Sequence, residues 1–176
     1  MKNKFWVGLA VLGFMAMSCA AMTMTGEEKY GKSVPVITEA FASKELIPGH
    51  TWKVYLKASD PDGDMQYIVS NVYQPGWGDY PLSRTRIKEE TRKELDGYIY
   101  LNTLIPEGYE FLNFFTIRLT VQIQDKAGHY SNPVVFPVTF NYRAVQEPAP
   151  PGVFKEQDLG PILVNLHSFD TENGGS

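Results

Sequence analysis

Asp60, Asp62 and Asp64 fall within five residues, in the stretch Ala-Ser-Asp-Pro-Asp-Gly-Asp that follows an alternating apolar segment. Carboxylate oxygens are the ligands of hard divalent cations, and calcium takes six to eight oxygens. Crowding three anions therefore calls either for a cation or for a turn that spreads them into water. The turn is ordinary chemistry: proline sets φ, glycine accepts positive φ, and aspartate caps backbone N–H groups. Aspartates about 6 Å apart in water repel by well under 1 kcal/mol, so exposed carboxylates need no ion. An EF-hand is excluded, because Gly63 precedes the third aspartate and Asn71 stands where a bidentate glutamate belongs. Asp125 opens a second turn, Asp-Lys-Ala-Gly-His-Tyr-Ser, over residues 125–131. Where two such loops share one end of a fold, Asp60, Asp62, Asp64 and Asp125 become candidate calcium ligands, with backbone carbonyls and water completing the shell.

A second constellation lies between Tyr73 and Pro81, where Trp77 and Tyr80 sit among prolines and glycines. Aromatic rings held on a rigid loop form a common binding surface, and Trp77 and Tyr80 are candidate ligand-binding residues, for a glycan in particular. The alternative is that Trp77 folds back over a sheet edge. Catalytic signals are thin. His50, His129 and His167 are scattered and lack metal-pair spacing, and neither a Gly-x-Ser-x-Gly elbow nor a phosphate loop is present. An enzyme is not expected.

Cys19 is the single cysteine, so neither an intramolecular disulfide nor a thiolate metal cluster can form. It follows Lys2, Lys4 and an apolar run from Phe5 to Met17. Basic start, apolar middle and small residues are the layout of a secretory leader over 1–18. The run is shorter than the roughly twenty residues that span a bilayer as a helix. Ala16-Met17-Ser18-Cys19 resembles the lipobox of bacterial lipoproteins, with Ala16 where leucine is usual. The resemblance implies a lipidated Cys19, a membrane-anchored chain of the bacterial cell envelope and, with Ala20 following, the outer membrane. An ordinary leader cleaved near Ala20 or Ala21 is the alternative.

The elements that must position these residues read as strands. Phe115, Ile117, Leu119, Val121 and Ile123 alternate with Thr116, Arg118, Thr120, Gln122 and Gln124, the period of a strand with one buried face. Trp52, Val54, Leu56 and Ala58 repeat the pattern, as do Val134, Phe136, Val138 and Phe140. Pro137 lacks an N–H, which predicts a sheet edge there. Weaker strands read at 34–42, 65–74, 83–88 and 97–103, with turn residues at the joints and one helical turn in 88–95. About seven strands predict an all-β, two-sheet antiparallel sandwich over 33–142. Residues 19–32 read as a tether. Residues 143–176, with Pro148, Pro150 and Pro151, read as an extended linker and a tail. Within that tail, Ile162, Val164 and Leu166 alternate, predicting one further strand on its own sheet or on a partner's edge. The formal charge is −4, and it becomes about −6 once Lys2 and Lys4 leave with the leader. That balance argues against nucleic acid, whose phosphates need a basic face.

Two stretches resemble a family. Tyr55–Val72, with its Asp-Pro-Asp-Gly-Asp loop, and Leu119–Phe140, with Asp125-Lys126-Ala127-Gly128-His129-Tyr130-Ser131, are similar to the loops of bacterial cadherin-like and immunoglobulin-like domains. His129 stands where asparagine is usual. The resemblance implies an immunoglobulin-like sandwich outside the cytoplasm that serves binding, adhesion, spacing or assembly, with an envelope protein or a glycan as partner.

Overall fold

The computed structural model describes residues 24–103 and 115–167. Alternating apolar residues form two sheets that bury their facing sides against each other. The first sheet holds β1 (Val36–Ala42), β3 (Thr51–Ser59), β7 (Glu94–Asn102) and β10 (Asp158–Pro161), in the order β1-β3-β7-β10. The second runs β2 (Glu45–Leu46), β9 (Val134–Phe140), β8 (Phe115–Asp125), β4 (Met65–Gln74) and β5 (Gly78–Asp79), with β6 (Ser83–Arg86) also paired to β4. The chain is thus an immunoglobulin-like two-sheet sandwich. Trp52, Val54, Leu56, Ile99 and Leu101 of one sheet meet Ile117, Leu119, Val121, Ile123, Val138 and Phe140 of the other, all fully buried. Burial of such side chains contributes about 1.5–3 kcal/mol each.

Each of the seven strands expected from periodicity has a counterpart, and β2, β5 and β10 are short additions. The sheets are mixed rather than purely antiparallel: β2 runs parallel to β9, and β10 runs parallel to β7. Pro137 has the edge it requires. The N–H of Thr139 donates to Lys44 on the β2 side, and β2 pairs with Thr139 and Phe140, so the proline nitrogen two residues away faces an edge that no strand of the described residues pairs. The helical turn of 88–95 is a 3-10 turn at Glu89–Thr91, after which β7 begins at Glu94.

Two segments depart from expectation. The described part of the tether carries a short helix, α1 (Gly26–Tyr30), closed by a capping box between Thr25 and Glu28. Gly26 packs against Ala127 of the β8–β9 turn, so close that a Cβ would lie 2.8 Å from its carbonyl oxygen. The proline-containing segment is not a free linker but a strap over the outer face of the first sheet. Phe154 packs on Tyr55 with ring centroids 5.5 Å apart, and Glu156 accepts from Lys53 Nζ at 2.8 Å and Tyr55 Oη at 2.7 Å. The cause is the outward face itself: Tyr55 and Tyr98 form an apolar patch that needs cover, and Tyr55 is buried under it. The strap then delivers β10 beside β7. The added strand therefore spans Asp158–Pro161, just before the alternating tail residues expected to form it. Gly97 permits this approach, because a Cβ there would run into the Gln157 carbonyl and the Leu159 side chain.

Candidate functional site

The sandwich has two chemically distinct ends, joined by β4. At the first end, strand parity carries polar residues into core positions. Trp52, Val54, Leu56 and Ala58 point inward from β3, and Asp60 is the next residue in that phase; Ile117 through Ile123 point inward from β8, and Asp125 is the next. A bulge between Met65 and Tyr67 turns both Met65 and Ile68 to the core, and Asp64 precedes it. Asp60, Asp64 and Asp125 are consequently 1%, 6% and 1% exposed. Each offers a carboxylate oxygen, and these oxygens lie within 4.8 Å of one another. Oxygens bound to one ion at about 2.4 Å can be no farther apart than about 4.8 Å, the diametric limit.

Asp60 Oδ2 and both oxygens of Asp64 are buried and have no hydrogen-bond partner among the described residues. Asp60 Oδ1 accepts from Asp62 N at 3.2 Å. Asp125 is held by its own turn, accepting from Gly128 N at 2.7 Å and His129 N at 2.8 Å, with His129 Nδ1 2.8 Å from Oδ2. Burial first, and the neighbouring Asp64 carboxyl second, push the Asp60 carboxyl up to about 6. His129 is raised by its hydrogen bonds to Asp125 and then to Glu27 of α1. Among the described residues no lysine or arginine pairs with Asp60 or Asp64; His129 alone of the basic side chains reaches the cluster, through Asp125, and carries charge there when protonated.

Asp62 does not join them. It is exposed at the loop tip and accepts Ser33 N at 2.7 Å, and Gly31, at φ +114°, has no Cβ because the Asp62 carboxylate fills that space. The loop thus divides its carboxylates: two turn inward, and one fastens the N-terminal segment. Proline and glycine at 61 and 63 reverse the chain between them, so Asp62 faces away from its neighbours.

At the second end, Trp77 is 51% exposed and stacks on the His167 imidazole, with centroids 4.0 Å apart and planes 13° from parallel. Tyr80 is half-buried, stacks on the same imidazole at 5.6 Å, and packs against the core. Burial raises its phenol above the usual range, with the His167 backbone hydrogen bond opposing. Sequence reasoning missed Gln74. It lies in the inward phase of Ile68, Ser70 and Val72 and is fully buried. Its Nε2 donates to His167 O at 2.8 Å, while its Oε1 accepts from His167 N at 3.2 Å and from Tyr80 Oη. A glutamine at an inward position of a strand was the available signal. Cys19 lies outside the described residues, and among those residues no helix is long and apolar enough to cross a membrane.

Fold and ends together define an immunoglobulin-like module with a buried acidic cluster at one end and a polar-aromatic cluster at the other. The sequence matches no protein-family model and no curated protein. Among solved structures, the chain is similar to the PKD domain of an M14-like peptidase from a Thermoplasmatales archaeon, at 14% identity and a TM-score of 0.35, over 62% of this chain and 97% of that one.

Proposed function

We propose that this chain is a non-catalytic binding or assembly module of the bacterial cell envelope, lipid-anchored through Cys19, whose anchor-side end is stiffened by a calcium ion held by Asp60, Asp64 and Asp125. The observation that carries the calcium site is the set of three unpartnered, buried carboxylate oxygens on Asp60 and Asp64 beside Asp125. A buried anion without a partner is costly; a proton on Asp60 relieves that cost below about pH 6, and a cation relieves it above that pH without a change of fold. The donors are all oxygen, which favours calcium or magnesium over zinc or copper. Backbone carbonyls and water would complete the coordination.

The layout supports a spacer. Asp64 and Gln74 bracket β4, whose ten residues extend roughly 30 Å. The described part of the tether, residues 24–33, docks at the acidic end through Asp62, Ala127 and His129. An anchor there would leave the aromatic end directed away from the membrane. Titration calorimetry of the chelator-stripped chain with calcium, and with magnesium alongside, tests the ion; no heat at millimolar calcium ends that part. Fatty-acid labelling of the native chain against Cys19→Ala tests the anchor, and an unlabelled native chain ends that one.

A further inference from the structure

We propose that the aromatic end is a peptide-reading clamp, occupied in this structure by the chain's own tail and able to take an extended peptide of the same pattern from a partner protein. Among the described residues the tail from Leu163 to His167 joins no ladder after β10. Side chains of the sandwich read its main chain instead. Ser83 Oγ accepts Leu163 N at 2.9 Å, Tyr80 Oη accepts His167 N at 2.8 Å, and Gln74 takes both the N–H and the C=O of residue 167. Main-chain contacts of this kind hold any extended residue, whatever its side chain. Selectivity then comes from pockets and rings. Val164 and Leu166 turn toward the core, and the Trp77 and Tyr80 rings take the planar imidazole of His167. The ligand class is an extended segment reading apolar-x-apolar followed by histidine or an aromatic residue.

Two features mark a binding site rather than a plain structural tie. Gln74 is fully buried with the tail in place, and among the described residues its side-chain amide bonds only to Tyr80 and to the tail, so an emptied site strips the amide of its tail partners and a replacement segment is favoured. Trp77 stays half exposed with the tail in place, and Leu163 is 72% exposed, so the occupant is held at a few points and open to exchange. An occupant in cis lowers the apparent affinity for one in trans by the fraction of time that it fills the site. The clamp lies at the opposite end of β4 from the acidic cluster and stands whether or not an ion binds there.

The test uses the full chain in chelator, with a fluorescein-labelled, amidated peptide of sequence Ile-Leu-Val-Asn-Leu-His and fluorescence anisotropy. Replacing residues 163–167 by a glycine-serine linker is expected to tighten peptide binding at least tenfold over the native chain. Gln74→Ala or Trp77→Ala in that background is expected to lose tenfold or more, as is a peptide with glycine for its histidine. A folded linker-replaced chain that ignores the peptide overturns the proposal. Should that chain fail to fold, His167→Gly in the otherwise native chain is read instead: the peptide is expected to quench its tryptophan emission more than that of the native chain, and equal quenching overturns the clamp. Binding of an oligosaccharide at Trp77, with no response to peptide, also overturns it.

Discussion

Replacing Asp64 by asparagine separates the two things its carboxylate does. Without an ion, Asp64 is a buried carboxyl with no hydrogen-bond partner among the described residues, facing Asp60 and Asp125. Asp125 accepts hydrogen bonds from Gly128 N and His129 N and has His129 Nδ1 at 2.8 Å, which leaves Asp60–Asp64 as the less supported pair. Charges up to 4.8 Å apart repel by roughly 3 kcal/mol at an effective dielectric of about 20. The raised Asp60 carboxyl, from 3.8 to about 6, corresponds to a similar figure, roughly 3 kcal/mol, with burial as its larger cause. The asparagine amide also donates to oxygens that lack a donor. Asp64→Asn in chelator should therefore raise Tm by roughly 5–10 °C at pH 7.5, taking about 3 °C per kcal/mol for a chain of this size. Calcium at a hundred times its Kd should stabilise the native chain by about 2.7 kcal/mol, a similar rise, and leave the variant unmoved. Differential scanning calorimetry with calcium and with chelator reads both effects. If Asp64→Asn lowers the chelated Tm, or still responds to calcium, the account of the acidic cluster is wrong.

The pH dependence has a defined sign. The Asp60 carboxyl lies higher in the folded chain than its ordinary value of 3.8, so the folded state holds the proton more tightly and stability from this group falls as pH rises through 6. Acidifying the chelated chain from about pH 7 to pH 5 should add roughly 1 kcal/mol, whereas the calcium-loaded chain should lose stability over the same window as protons displace the ion; matching Tm–pH curves would refute this. Gly31→Ala places a Cβ on the Asp62 carboxylate at φ +114°, a strain of about 1–3 kcal/mol, and should expose residues 24–33 to limited proteolysis while leaving the sandwich intact. Gly97→Ala drives a Cβ into the Gln157 carbonyl; faster hydrogen exchange at the amides of Tyr98 and Ile162, which bond across β7 and β10, is the expected readout.

Much of the acidic cluster was legible. Odd–even parity along Trp52–Ala58 and Ile117–Ile123 reaches Asp60 and Asp125 without a break, so alternation alone assigns both to the core side. What parity does not reach is the interior of the loop. Asp62 and Asp64 differ by two residues and have the same chemistry, yet one holds Ser33 at the surface and the other is 6% exposed. That division depends on the local reversal at Pro61–Gly63 together with the bulge after Met65, and the bulge is set by the pairing of β4 with β8. The proline-containing strap was misread for a related reason: composition reports stiffness and polarity, whereas docking depends on the uncovered Tyr55 and Tyr98 face beneath it. The role of Gln74 went unnoticed because His167, the tail residue it holds, lies 93 residues away.

By itself the sequence determined the properties that need only near neighbours: strands of period two, turns where proline, glycine and aspartate fall, and inward phases that end in carboxylates. The tertiary structure alone decided which distant segments meet, namely α1 on the β8–β9 turn, β10 on β7, and His167 on Trp77. Side-chain phase is set within a few residues by backbone geometry. Pairing across the chain is set by which whole assembly buries the most apolar surface with the fewest unpaired polar atoms, and no local window carries that sum.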